Sequence, residues 1–204
     1  MSENSELKDI PSEVNEGNDK KGNNYNPFSA RAIYDWMEIF AVSIAVVFFL
    51  FSFVARIAVV DGGSMLPTLE NGDKLIVRQL FYNPKQGDII VCQSESYGME
   101  KPLVKRVIAT EGQTVVLDRQ NWKVYVDDKP LDESYVLYEA GLMMGWDYDT
   151  DIITVKEGHV FVMGDHRNDS LDSRSMRVGQ IDERYIIGQV IFRFIPFKNM
   201  GIVK

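Results

Sequence analysis

Serine 64 lies in Asp61-Gly62-Gly63-Ser64-Met65-Leu66-Pro67-Thr68-Leu69. Two glycines loosen the backbone just before it, and a proline stiffens the chain just after it. The hydroxyl is thereby expected on an irregular, exposed turn whose backbone amides face outward. A nucleophile needs that setting, because an attacked carbonyl oxygen must meet N–H donors as its charge develops. An ordinary Gly-Ser-Pro turn has the same letters, so the reading depends on finding a base.

The chain offers only two imidazoles, His159 and His166, and one other candidate, Lys105. Lys105 lies 41 residues after Ser64, inside Leu103-Val104-Lys105-Arg106-Val107-Ile108. Alternate residues of a strand share a face, so Leu103 and Val107 flank Lys105 on its own side. Desolvation between aliphatic neighbours disfavours the ammonium. A lysine acting as a base near neutral pH must give up about 4 kcal/mol of charged-state solvation. A lysine that snorkels from a strand edge has the same spelling. The third stretch, Gly164-Asp165-His166-Arg167-Asn168-Asp169-Ser170-Leu171-Asp172-Ser173-Arg174, packs opposite charges and hydroxyls together. Ion pairs and side-chain-to-backbone bonds can hold such a loop rigid. A hydroxyl such as Ser170 can orient an uncharged lysine, as the third member of a triad orients its base.

The elements that must position these residues are mostly short strands. Lys74–Arg78, Ile89–Gln93, Leu103–Thr110, Thr114–Leu117, Trp122–Val126, Ile152–Val155, His159–Met163 and Gln189–Phe194 read as strands between Gly, Pro, Asn and Asp turns. Tyr138–Asp151 has no clean period and reads as an irregular excursion. The expected fold is mainly β: an antiparallel β core with an inserted smaller β region at 118–158, preceded by one transmembrane helix. The helix follows from Ile39–Ala55, 17 residues without a charge. Trp36 stands at one boundary and Arg56 at the other. The run lacks amphipathic spacing, and no small-x-small pair ends it, so an uncleaved anchor is expected. Three regions follow: a disordered polar tail at 1–35, an anchor at 36–58 and a catalytic domain at 59–204. Lys20, Lys21 and Arg31 before the span favour a cytoplasmic N-terminus.

The net charge of −8 argues against nucleic acid, which needs clustered cations. Cys92 is the single cysteine and reads as a buried small hydrophobe. With no CxxC or HExxH, neither a metal site nor a cofactor is expected.

Taken together, the three stretches resemble type I signal peptidases, membrane-anchored Ser-Lys proteases, in the Gram-positive form. Ser64-Met65-Leu66-Pro67-Thr68 is similar to the family's Ser-Met-x-Pro-Thr box and Lys105-Arg106 to its Lys-Arg box. Gly164-Asp165-x-Arg167-x-x-Ser170-x-Asp172-Ser173-Arg174 is similar to its third box. The resemblance implies that Ser64 is the acylated nucleophile, Lys105 its base and Ser170 the hydroxyl that positions the lysine. It implies that Asp172 and Arg174 form a supporting ion pair, that Asp165 and Arg167 are structural, and that Met65 and Leu69 lie near the pocket for small side chains before the cut. It further implies secretory preproteins as substrates, a lipid bilayer as partner, and a single-pass protein of the cell membrane with its catalytic domain outside the cytoplasm. Two positions depart from the pattern. His166 stands in place of Asn, which keeps a histidine role open, although a structural one is expected. Gly62 stands where some members carry a hydroxyl, leaving the oxyanion to backbone N–H groups, chiefly that of Ser64. The apolar loop Met143-Met144-Gly145-Trp146 is a candidate to dip into the membrane interface. A catalytically inactive anchored β domain that binds peptides is the alternative. A self-cleaving repressor with a similar serine box is disfavoured, because an acidic tail and an apolar span stand where its DNA-binding head would be.

Overall fold

The protein was analysed as a computed structural model that describes residues 30–94, 101–139, 141, 144, 145 and 147–203. Of the tail expected at 1–35, residues 1–29 lie outside these residues, as do Met143 and Trp146. Helix α1 runs over Ala30–Val54, 25 residues. At 1.5 Å per residue it is about 37 Å long, enough to cross a hydrocarbon core. It carries no charged residue after Glu38, and Trp36, Phe40 and Phe48 are exposed. The helix is thus long and apolar enough to cross a membrane.

The helix ends earlier than the apolar run suggests. Ala55–Val59 is strand β1, which pairs antiparallel with β2 (Lys74–Arg78), Ala55 opposite Arg78 and Val59 opposite Lys74. Residues that continue an apolar run, with β-branched Ile57 and Val59 among them, are taken into the sheet here, because β2 offers them a full register of partners.

The larger sheet adds β3 (Ile89–Cys92), β4 (Leu103–Ala109), β9 (His159–Met163), β10 (Ile181–Asp182), β11 (Ile186–Ile195) and β12 (Gly201–Ile202). Its order is β1-β2-β11-β3-β4-β9-β10, with β12 on β11, and every pair is antiparallel. Register shifts in β4 and β11 curl it. The smaller sheet is β7-β6-β5-β8, from β5 (Thr114–Asp118), β6 (Lys123–Val126), β7 (Lys129–Pro130) and β8 (Ile152–Thr154). The inserted β region is therefore real and begins at Thr114.

Three buried clusters hold the sheets. Val115, Leu117, Trp122, Val124 and Met144 pack with Ile108 and Phe161 between the two sheets. Met144 is 2 % exposed, so this member of the supposed interfacial loop belongs to the core. Met65 and Leu69 pack with Val60, Leu75, Val77 and Val91. The third cluster joins Ile90 and Cys92 of β3 to Val107, Val160 and Val162.

Candidate active site

The Ser64 turn follows β1 directly. Val60 N–H donates to Asp73 C=O at 2.9 Å, and Gly72 N–H returns a bond to Val60 C=O at 2.9 Å. Gly62 sits at φ +105°, a conformation that glycine adopts without cost, and its N–H donates to Asn71 Oδ1 at 2.9 Å. Leu66 N–H closes the turn onto Gly63 C=O at 3.0 Å. Met65 and Leu69 anchor it from below, 1 % and 0 % exposed. Among the described residues no acceptor takes the Ser64 N–H, so it remains available to an incoming oxygen.

β4 brings Lys105 to this turn. Ile90 of β3 lies directly opposite Lys105, and Leu103 and Val107 flank it on the same face. Lys105 is 3 % exposed, and its Nζ donates to Ser64 Oγ at 2.6 Å. Burial holds its ammonium below the ordinary lysine range, against the pull of Asp172. Cys92, on the same face of β3, is fully buried, and burial pushes its thiol up to about 12.

The loop after β9 closes the site. His166 N–H donates to the Ser64 carbonyl at 3.1 Å. Gly164 is equally close: a methyl group there would lie 2.5 Å from the Ser64 carbonyl oxygen and 2.2 Å from Ser170 Oγ. Ser170 Oγ donates to Asp172 Oδ2 at 2.6 Å. Its one hydroxyl hydrogen is thereby committed, and its remaining capacity toward a lysine is as an acceptor. Asp172 also takes Arg174 Nε and Nη2, each at 2.8 Å, and the Gly164 N–H at 2.9 Å. Burial alone would raise the Asp172 carboxyl, but Arg174 and these donors hold it below the usual carboxylate range.

Asp165 meets a partner that strand alternation alone does not reveal. Arg106, on the opposite face of β4 from Lys105, binds it through Nε at 2.8 Å and Nη2 at 2.7 Å. Thr68 of the serine turn donates to the same carboxylate at 2.5 Å. Arg106 also lies over the Tyr135 ring at 3.9 Å. One buried ion pair therefore joins the turn, the lysine strand and the third loop. Arg167 pairs with Glu133, which the sequence reading did not single out. A cleft of about 670 Å³ opens beside this loop, with Ser170, His166, Arg167 and Arg174 in its lining. No group of His, Cys, Asp or Glu able to hold a metal ion occurs among the described residues.

A buried lysine within hydrogen-bond reach of a serine can exchange its proton, and a free N–H beside that serine can receive an oxyanion. Comparison with known proteins agrees in kind. Residues 33–195 match the family described as "Signal peptidase, peptidase S26". The chain is 39 % identical over 169 residues to "Probable signal peptidase I-1" of Synechocystis, covering 78 % of this chain and 81 % of that one. It is 31 % identical over 183 residues to "Signal peptidase I S" of Bacillus subtilis, covering 86 % and 96 %. A crystal structure of a signal peptidase I from Enterococcus faecalis is 27 % identical and covers 53 % of this chain and 97 % of that one, with a TM-score of 0.44.

Proposed function

Since the chain belongs to the signal peptidase family, peptidase S26, which removes signal peptides from secretory preproteins, we propose that it does so through a Ser64–Lys105 dyad, cutting after a small-x-small motif outside the cytoplasm. The observation that carries the dyad is the 2.6 Å contact between Ser64 Oγ and a lysine only 3 % exposed.

In this reading neutral Lys105 takes the Ser64 proton as Oγ attacks the scissile carbonyl. The developing oxyanion is received by the Ser64 N–H, since Gly62 has no side chain and its own N–H is held by Asn71. The C–N bond breaks, and the Lys105 ammonium passes its proton to the departing amine. Lys105 then deprotonates a water, which attacks the acyl ester, and the same proton returns to Ser64 Oγ as the acid leaves. Ser170 donates to Asp172, which Arg174 fixes, so Ser170 has only lone pairs left to offer Lys105; the hydrogen bond that Lys105 makes here goes to Ser64. Asp165 and Arg167 hold the loop in place. A small side chain before the cut rests against the turn that Met65 and Leu69 back from the core.

The test is cleavage of a precursor with an Ala-x-Ala site by the full chain in detergent. Wild type should cut after the second alanine, and Ser64→Ala and Lys105→Ala should each lose at least about a thousandfold in kcat while staying folded. A Lys105→Ala variant that cuts at near wild-type rate would refute the dyad.

A further inference from the structure

The cleft beside the third loop has a polar floor whose hydrogen-bonding capacity is not used. Three side-chain nitrogens of its lining residues are buried and have no hydrogen-bond partner: Arg167 Nη2, Arg174 Nη1 and His166 Nδ1. Arg167 and Arg174 are 2 % and 4 % exposed. Leaving a buried donor unmade costs about 1–3 kcal/mol, so such groups point to a ligand. Both guanidinium charges are already balanced, one by Glu133 and one by Asp172. What they lack is an acceptor without a second negative charge, and a backbone carbonyl supplies that. The imidazole nitrogen can donate or accept, according to its tautomer. Around this floor, Glu139, Asp147 and Asp169 also line the cleft and are exposed. The rim therefore favours cations, while the floor favours neutral acceptors. A polypeptide segment with amide carbonyls, and without acidic side chains, satisfies both.

Ser170 connects this cleft to the chemistry. It lines the cleft, and its Oγ and the Ser64 carbonyl oxygen both crowd the open side of Gly164. We propose that the cleft is the subsite for the part of the precursor downstream of the scissile bond, its backbone carbonyls taken by Arg167 and Arg174 and its charge selected by the acidic rim. The proposal rests on the peptidase reading above. The half upstream of the cut also carries amide carbonyls, but by that reading its side chains at the cut are small and apolar and give an acidic rim no charge to select. The downstream half begins the exported protein and becomes an α-ammonium on cleavage, which the rim carboxylates attract.

The test uses full chain in detergent carrying Ser64→Ala, so that binding is read without turnover. Labelled peptides share one sequence up to the cut and carry two Lys or two Asp at the second and third positions beyond it. Fluorescence polarisation at low salt should show the Lys peptide binding about fivefold tighter, from three exposed carboxylates of modest individual effect. The preference should fade at high salt and vanish in Glu139→Gln/Asp147→Asn/Asp169→Asn, which changes rim side chains only. A peptide cut short one residue past the scissile bond should bind about tenfold more weakly, having lost its carbonyl contacts to the floor. Equal binding of the two charged peptides, a preference that survives the triple substitution, or full affinity of the shortened peptide would each overturn the assignment. The dyad is judged separately by the Lys105→Ala cleavage rate, so either idea can fail alone.

Discussion

Replacing Gly164 by alanine adds one methyl group at the point where the third loop meets Ser64. The backbone of Gly164 is not in the left-handed region, so alanine meets no conformational penalty there. Only space opposes it. The new carbon would stand 2.5 Å from the Ser64 carbonyl oxygen, 2.2 Å from Ser170 Oγ and 2.6 Å from Ser170 Cβ. Ordinary contact begins near 3.4 Å, so the Ser64 carbonyl must withdraw by about 1 Å in a tightly packed site. That carbonyl also accepts the His166 N–H, and Ser170 is tied to Asp172, so neither neighbour moves alone. Overpacking of this kind costs about 1–3 kcal/mol. For a domain of this size the thermal midpoint should fall by about 3–10 °C. Misplacing a nucleophile by about 1 Å costs on the order of a hundredfold in rate. The assay pairs kcat on the Ala-x-Ala precursor with the thermal midpoint of each variant. Gly63→Ala serves as the control, because its nearest atom is the flexible end of Leu66 at 3.3 Å, and its midpoint should move by less than about 3 °C. A folded Gly164→Ala enzyme within about threefold of wild-type kcat would show that the loop does not set the serine's position.

Four further outcomes are expected. Because burial lowers the Lys105 pKa, kcat/KM should rise with pH through that lowered value, as the neutral base accumulates. Stability should rise in the same direction. Between the folded pKa and the ordinary lysine value the unfolded chain binds more protons, and the penalty is full below both; Lys105→Met should flatten that slope in pH-dependent unfolding. His166→Ala should keep kcat within about threefold, since its backbone N–H survives the change; a loss of a thousandfold would make the imidazole the base instead. A chain beginning at Ala55 should fold as the full protein does, whereas one beginning at Val59 loses four of the five β1 residues, exposes the β2 edge and should aggregate on sizing columns.

Much of the site could be read from the letters because its chemistry depends on rare residue types. A serine between glycines and proline, a lysine among aliphatics and a dense charged loop stand out from any background, and Ser64 and Lys105 do meet. Lys74–Arg78 and His159–Met163 were equally plain, since apolar residues there are bounded by turn formers. The strand β1 was hidden because its residues extend a helix-length apolar run, broken only by Arg56. Its strand state depends on β2, which local pattern cannot express. The two-residue strands β10 and β12 are too short to carry a period. Strand alternation puts Arg106 on the face opposite Lys105, but its burial depends on Asp165, 59 residues away. The Arg167–Glu133 pair is hidden for the same reason, with 34 residues between its partners.

Helix α1 passes into β1 with no residue between Val54 and Ala55, and this sets a mechanical limit. Ser64 lies ten residues beyond the helix end, so even a fully extended chain could carry it no farther than about 35 Å from that point. Five of those residues are paired with β2, so the slack between the helix end and Ser64 is confined to the residues that follow Val59. A peptide bond presented within that reach meets the serine at high effective concentration, and one presented much farther away is out of reach whatever its sequence.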